Sequence, residues 1–535
     1  MTSMSGRKER LAIFDTTLRD GAQTQGVDFS VEDKRQIALA LDGLGVDYIE
    51  GGWPGANPTD TAFFAERPSL KHARFTAFGM TKRAGRSAAN DPSLAPVLEA
   101  ATDAVCLVGK SSAFQVRVAL EISLEDNLDN IARSMEAIVA KGREPLFDAE
   151  HFFDGYKHDA SYALAAIRTA YEAGAKWLVL CDTNGGVMPE EAYRIVSEVK
   201  AALPDAPLGI HAHNDTEQAV AVSLAAIRAG ARQVQGTLNG LGERCGNANL
   251  CSLLPNLMLK EPYASQFETG VSPEKLKQLT HVSRLLDEIL NRAPNRYQPY
   301  VGASAFTHKG GLHVSAVMKN PQTYEHVPPE SVGNKRILPV SSQSGRANVA
   351  ANLSVSGAMD GDKPDLARLL QDVKHREFQG YSYDDAAASF ELLALRQQNK
   401  LPRYFTVEQF SVTVESRNDG EQMASKSRAR VELMVAGEKI TSSGAGNGPV
   451  NALDAALRKD LGKYSPFLAD LRLVDYKVRI LTSGTEAVTR VTVESADGKG
   501  DRWSTVGVSE NIVDASFEAL TDSIIYKLYR DKAPV

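Results

Sequence analysis

The sequence predicts an α/β protein in three parts: a parallel (β/α)8 TIM-type barrel over residues 1–270, helical linker subdomains over 271–402, and an internally repeated α+β domain over 403–535. Three observations predict it. Short apolar runs alternate with amphipathic stretches from Leu11 to Lys260, that rhythm breaks beyond Lys260, and a β-alternating pattern with an internal repeat begins near Arg403.

The apolar runs are Leu11–Phe14, Val46–Ile49, Arg74–Phe78, Ala104–Val108, Pro145–Phe147, Trp177–Cys181, Leu208–Ala212 and Gln233–Leu238. Between them the spacing predicts helices over Val31–Leu44, Leu124–Lys141, Ser161–Ala173, Glu190–Ala202 and Glu217–Ala229, several ending at a glycine such as Gly174 or Gly230. Eight strands, each followed by a crossover, is the count of a closed barrel. A doubly wound open sheet is the alternative, weakened because no G-x-G-x-x-G opens the first helix. Past the barrel, 271–295 reads as a helix, 297–345 is rich in Gly, Pro and Ser, and 360–400 is helical again. This region is expected to pack on the barrel rather than form a ninth repeat.

The C-terminal repeat has an offset of 63: Glu438–Gly444, Val450 and Ala452 align with Asp501–Gly507, Val513 and Ala515. Each copy is predicted as strand, strand, glycine-containing turn and helix, the helices being Asn451–Leu461 and Asp514–Leu528. Its polar residues are mostly Ser, Thr and Asn, with no titratable cluster. That fits a ligand-binding or dimer-forming appendage better than a catalytic one.

Composition narrows the function. Of 535 residues, 43% are hydrophobic and 24% charged, which excludes a disordered or collagenous chain. A net charge of −7 argues against a nucleic-acid or anionic-membrane partner. No apolar run approaches a membrane span, and the polar start Met1–Arg10 lacks a signal-peptide core. Four cysteines without a C-x-x-C pair fit reduced thiols, hence a cytoplasmic setting.

Chemistry-bearing residues fall at strand ends. His211-Ala-His213 closes the seventh strand, and side chains at i and i+2 share a face. Two imidazoles would converge at the barrel mouth, either on a divalent metal or as hydrogen-bonded core histidines. Asp15-Thr-Thr-Leu-Arg19-Asp20-Gly21 ends the first strand. There Asp20 could offer a hard oxygen ligand and Arg19 a fork for a carboxylate or enolate, unless the two are a structural ion pair. After the eighth strand, the loop Gly240–Asn249 brings Asn247 as a neutral oxygen ligand to the same space if the sheet closes. Asp148-Ala-Glu150-His151 and Cys181-Asp182-Thr183 close the fifth and sixth strands, where helix capping competes with substrate orientation. Cys181 and Cys245 have no paired base in the sequence and are expected to be buried or loop thiols. His313, in Phe306-Thr-His308-Lys-Gly-Gly-Leu-His313, stands outside any periodic pattern.

Taken together these motifs resemble the metal-dependent acyl-CoA condensing enzymes that join an acetyl group to a 2-oxo acid: the isopropylmalate, homocitrate and citramalate synthases. The resemblance spans nearly the whole chain, from Asp15–Gly21 through His211–Asp215, Gly242–Asn247 and Gly311–His313 to Gly446–Ala452. Finer wording resembles the citramalate-forming branch: Arg19–Gln23, Glu50–Gly55, Glu150–Gly155 and Tyr300–Phe306. It implies that Asp20, His211, His213 and Asn247 hold a divalent metal (Mn2+, Zn2+ or Mg2+). Arg19, Glu150 and Thr183 would contact the oxo acid or its enolate. His313, reaching in from a partner subunit, would be the general base or its positioner, with Tyr324 nearby. Acetyl-CoA and pyruvate are the implied substrates, a homodimer the implied assembly, and isoleucine the implied effector of the repeat.

Two departures stand out. Ala22 replaces a carboxylate common among relatives, and Gln115 stands where relatives place a histidine after the fourth strand. Rival readings are a larger 2-oxo acid, a retro-aldol lyase, a biotin-linked carboxyltransferase, and an idle amino-acid sensor. Only Val317-Met-Lys-Asn320 approaches a biotin site, which disfavours the carboxyltransferase.

Overall fold

The computed structural model describes residues 8–345, 348–350, 353, 365–418, 423–484 and 486–535. Eight parallel strands close on themselves: β1 (Ala12–Asp15), β2 (Tyr48–Glu50), β3 (Arg74–Met80), β4 (Ala104–Lys110), β5 (Glu144–Glu150), β6 (Trp177–Asp182), β7 (Leu208–Ala212) and β8 (Gln233–Gly236). β8 pairs back onto β1, with Ala12 opposite Gln233 and Asp15 opposite Gly236, so the open-sheet alternative is excluded. The strands read as continuous apolar runs because helices cover the outside and side chains fill the inside. Leu11, Ile13, Phe75, Leu107, Phe147, Leu180 and Ile210 are fully buried in one core.

The helices start and stop where local chemistry dictates. Helix Val31–Leu44 has the predicted bounds. Ser30 and Asp33 cap its start reciprocally, and Gly45 ends it at φ 97°. The predicted helix at Glu217 begins at Ala219 instead, since Glu217 holds a left-handed φ of 60°. The predicted single helix over 271–295 is two, Pro273–Leu276 and Leu279–Ile289. Their residues Leu276, Leu279 and Leu286 join the barrel core.

The chain divides into two compact units: residues up to Phe306 with Val327–Lys335, and Thr307–His326 with Arg336–Val535. In the second unit, the stretch read as Gly-, Pro- and Ser-rich contains a helix, Gly311–Lys319. Two helices, Leu366–Phe378 and Ala387–Gln397, occupy the predicted helical region; its first residues, 360–364, lie outside the described ones. Two three-stranded antiparallel sheets follow, β9 (Phe405–Asn418), β10 (Met423–Val435) and β11 (Glu438–Gly446), then β12 (Arg472–Ile480), β13 (Thr489–Ala496) and β14 (Arg502–Ser509). Each sheet leads into one helix, Pro449–Lys459 or Ile512–Arg530.

The repeat therefore has three strands per copy rather than two. Gly444 and Gly507 lie inside strands, not in turns. Their equivalence has a packing cause. A Cβ at Gly444 would strike the backbone of Ala452 and Ala456, and one at Gly507 would strike that of Ala515 and Ala519. Among the described residues no helix is long and apolar enough to cross a membrane.

Candidate metal centre and active-site cavity

The C-terminal ends of the strands surround a cavity of about 660 Å3, whose lining includes Arg19, Asp20, Glu150, Thr183, His211 and His213. Six of the residues expected from the sequence thus share one space. His211 and His213 point the same way because they sit two residues apart, at the end of β7 and just beyond it. Their Nε2 atoms are 3.3 Å apart, and Asp20 Oδ2 lies 3.2 Å from the first and 4.0 Å from the second. These three buried groups form the candidate metal cluster.

Asn247 stands at their side without lining the cavity. Its Nδ2 is 2.9 Å from Asp20 Oδ2 and 3.0 Å from His211 Nε2, while its Oδ1 is buried without a partner. Exchanging the two ends of the amide, a choice that hydrogen bonding alone sets, gives the cluster an amide oxygen. Gly242, at φ 150°, makes room for it, since any Cβ there would collide with Asn247 Oδ1. One carboxylate, two imidazoles and an amide oxygen suit Zn2+, Mn2+ or Mg2+, and the orphaned amide atom fits that use.

The electrostatics centre on Asp20: burial would lower the His211 imidazole, but the hydrogen bond and charge of Asp20 raise it. Burial would raise the Asp20 carboxyl, but the Arg19 guanidinium and then the His211 hydrogen bond hold it well below the usual carboxylate range. Burial, then the charge of His211, push His213 down to about 4, so it is neutral and able to ligate at neutral pH.

Arg19 is gripped on three sides. Its Nε donates to Glu50 Oε2 at 2.7 Å, its Nη1 lies 3.5 Å from Asp20 Oδ1, and its guanidinium rests 4.0 Å over the Phe78 ring. Glu50, fully buried at the end of β2, also accepts from Thr16 Oγ1 at 2.5 Å. The sequence reading gave Glu50 no role. It carries the same signal that singled out Asp20 and Glu150, a carboxylate at a strand end. Gln235 was missed too. It binds His211 Nδ1 at 2.7 Å and donates to Asp148 at 3.0 Å.

On the other side of the mouth, Glu150 pairs with Lys110 at 2.5 Å. His151 follows at a left-handed φ of 58°, rare for a residue with a Cβ. Its N–H donates to Thr183 Oγ1 at 2.8 Å, which leaves the Thr183 hydroxyl proton for a ligand. Arg244 closes this edge with a two-pronged pair to Asp215 and a bond to the Thr183 carbonyl. Burial pushes the Cys181 thiol well up, which removes it as a thiolate nucleophile. Ala22 lines the cavity; Gln115 does not.

His313 and Tyr324 belong to the second unit, with rings stacked at a centroid distance of 4.0 Å. Beside them, buried Glu325 accepts from Arg336 and lies 3.3 Å from His308 Nε2.

A parallel barrel with its polar groups gathered at the C-terminal mouth is the setting of barrel enzymes, and the HMGL-like family model matches this one over residues 10–285. A homocitrate synthase post-HMGL domain-like model matches 300–379, and the LeuA allosteric (dimerisation) domain matches 386–528. The (R)-citramalate synthase of Aquifex aeolicus is 48% identical over 98% of this chain and 99% of its own. That of Geobacter sulfurreducens is 47% identical over 97% and 98%. A probable 2-isopropylmalate synthase of Methanopyrus kandleri is 32% identical over 96% and 98%. The chain belongs to the HMGL-like family, among its (R)-citramalate synthases.

Proposed function

We propose that the chain is an (R)-citramalate synthase, condensing acetyl-CoA, pyruvate and water to (R)-citramalate and CoA. The observation that carries this is the 48% identity over 98% of the chain, against 32% for the isopropylmalate-type relative. A base takes a methyl proton from acetyl-CoA, and the resulting carbanion attacks the ketone carbon of pyruvate to form the new C–C bond. Water then cleaves the thioester, releasing CoA as the thiol.

In this reading Asp20, His211, His213 and Asn247 would hold a divalent cation, which would supply Lewis-acid polarisation of the ketone. Arg19, fixed by Glu50 and Phe78, presents its charge to the oxygen on which negative charge develops. The Thr183 hydroxyl donates to the pyruvate carboxylate, with Glu150 alongside. His313 acts as the base or positions it, with Tyr324 stacked upon it, and a partner subunit supplies both. The dimer itself is proposed from the matched dimerisation domain, and a cytoplasmic setting from four free cysteines.

Isoleucine is the proposed effector of the repeat. The experiment is thiol release from acetyl-CoA with pyruvate, 2-oxoisovalerate and 2-oxoglutarate, repeated with isoleucine, leucine and valine at subsaturating acetyl-CoA. Pyruvate should be turned over fastest and isoleucine should inhibit. A preference for either larger acid would overturn the substrate assignment, and no inhibition by any amino acid would leave the repeat as a dimerisation device.

A further inference from the structure

The second unit contains a cavity of its own, of about 1090 Å3. One wall is the outer face of the second sheet; the other is helix Leu366–Phe378 and the loop after it. Alternation along β13 buries Val491 and Val493 in the apolar core, so Arg490 and Thr492 face the cavity. On β12, Arg479 stands directly opposite Arg490, and Lys477 directly opposite Thr492.

Facing side chains in an antiparallel pair have Cβ atoms about 5 Å apart, and like charges there are destabilising. Among the described residues neither Arg479 nor Arg490 forms an ion pair or a hydrogen bond, and Glu377, Asp384 and Asp385 offset the charge on Arg490 only through space. The wall's carboxylates are engaged or at a distance. Asp384 pairs with Lys309 and Glu377 accepts from the Ser342 N–H at 2.6 Å, so neither carboxylate is given over to the arginines, although both, with Asp385, act on Arg490 through space. On the facing wall Lys374 adds a further cation, and Phe378 leaves 89% of its surface exposed.

We propose that this cavity binds a nucleotide, with Arg479 and Arg490 sharing its phosphate oxygens and Phe378 stacking on its base. A phosphate carries enough charge to neutralise both guanidinium groups and enough acceptors to meet both forks, which a carboxylate does not. An exposed aromatic ring across the same cavity from a cationic pair offers a stacking face for the base of a ligand whose phosphate the pair holds. The nucleotide has two possible sources, a free nucleotide or the nucleotide end of CoA.

The test titrates ADP, ribose 5-phosphate, inorganic phosphate and CoA into the full-length chain, followed by calorimetry and thermal unfolding. ADP should bind more tightly than ribose 5-phosphate, and that more tightly than phosphate. Arg490→Gln and Arg479→Gln should each weaken ADP by about tenfold or more. Phe378→Ala should weaken ADP but leave phosphate unchanged. Without ligand, both glutamine variants should unfold at no lower temperature than the parent, because a like-charge pair has been relieved. Competition of CoA with ADP, lost in Arg490→Gln, would make the substrate's nucleotide end the source; binding of ADP alone would make it a free nucleotide. Failure of the parent to bind any of the probes, or equal ADP binding by Arg490→Gln, would overturn the proposal. So would marked destabilisation of the unliganded glutamine variants, which would make the arginines structural.

Discussion

The Nδ1 atom of His211 lies 2.7 Å from Oε1 of Gln235, and that amide is itself held by Asp148. An amide oxygen only accepts, so Nδ1 carries a proton, and Nε2, which lies against Asp20, is the nitrogen a metal would take. Replacing Gln235 with Met keeps the volume and removes the restraint. Metal affinity, measured by competition with a chelator, should fall roughly ten- to a hundredfold. Unchanged affinity would reduce Gln235 to a filler of the barrel interior.

His211→Ala and His213→Ala should each lose bound metal and turnover together, while circular dichroism and the unfolding transition stay near those of the parent. Both side chains end at the mouth and contribute little to the apolar core. Near-parental turnover after chelation and metal repletion would remove them from the ligand set.

For Arg19 the sensitive partner is Glu50. Glu50→Gln is isosteric but gives up the charge that orients the guanidinium. We expect kcat to fall about tenfold to a hundredfold with a smaller change in KM for pyruvate, since an interaction made in the transition state is being weakened. Steady-state kinetics decide it: a change confined to KM would assign Glu50 to substrate binding.

If His313 is the base, as proposed, His313→Ala should lower kcat far more than it raises KM for pyruvate, because a base acts in the transition state. An unchanged kcat would return His313 to a structural role in its stack with Tyr324.

Gly444→Ala and Gly507→Ala place a methyl group against helix backbone in the two copies of the repeat. Each should destabilise the second unit by about 1–3 kcal/mol, read as a lower thermal transition, with the metal affinity of the barrel unchanged. A substitution without effect at either position would mean that the strand and helix separate at little cost.

All eight barrel strands were legible in the sequence because each is a short apolar run with turn residues on both sides. Helix Val31–Leu44 was legible to the residue because Ser30, Asp33 and Gly45 mark its ends chemically. Helix Gly311–Lys319 was not. It starts at Gly310-Gly311 with no side-chain cap, a pair that reads as a turn. Within the site, Asp20, His211 and His213 were legible because titratable residues clustered at strand ends. Gln235 gave no such signal, since a neutral amide inside a strand looks like any other polar residue until its neighbours are known. The third strand of each repeat was lost because the alignment at offset 63 rested on the residues nearest the helix.

The apolar cluster that joins helices Leu366–Phe378 and Ala387–Gln397 also takes in Val506, from the last strand of the second sheet. The segment before Leu401 and the repeat after it are thus halves of one folding unit rather than a tether and its cargo. An early stop codon near that position would strip the cover from Leu369, Val373 and Phe390 and leave a sticky, protease-prone stump. If the repeat senses an end product as proposed, insensitivity to it is open to this chain through point changes in the repeat and closed to it by deletion.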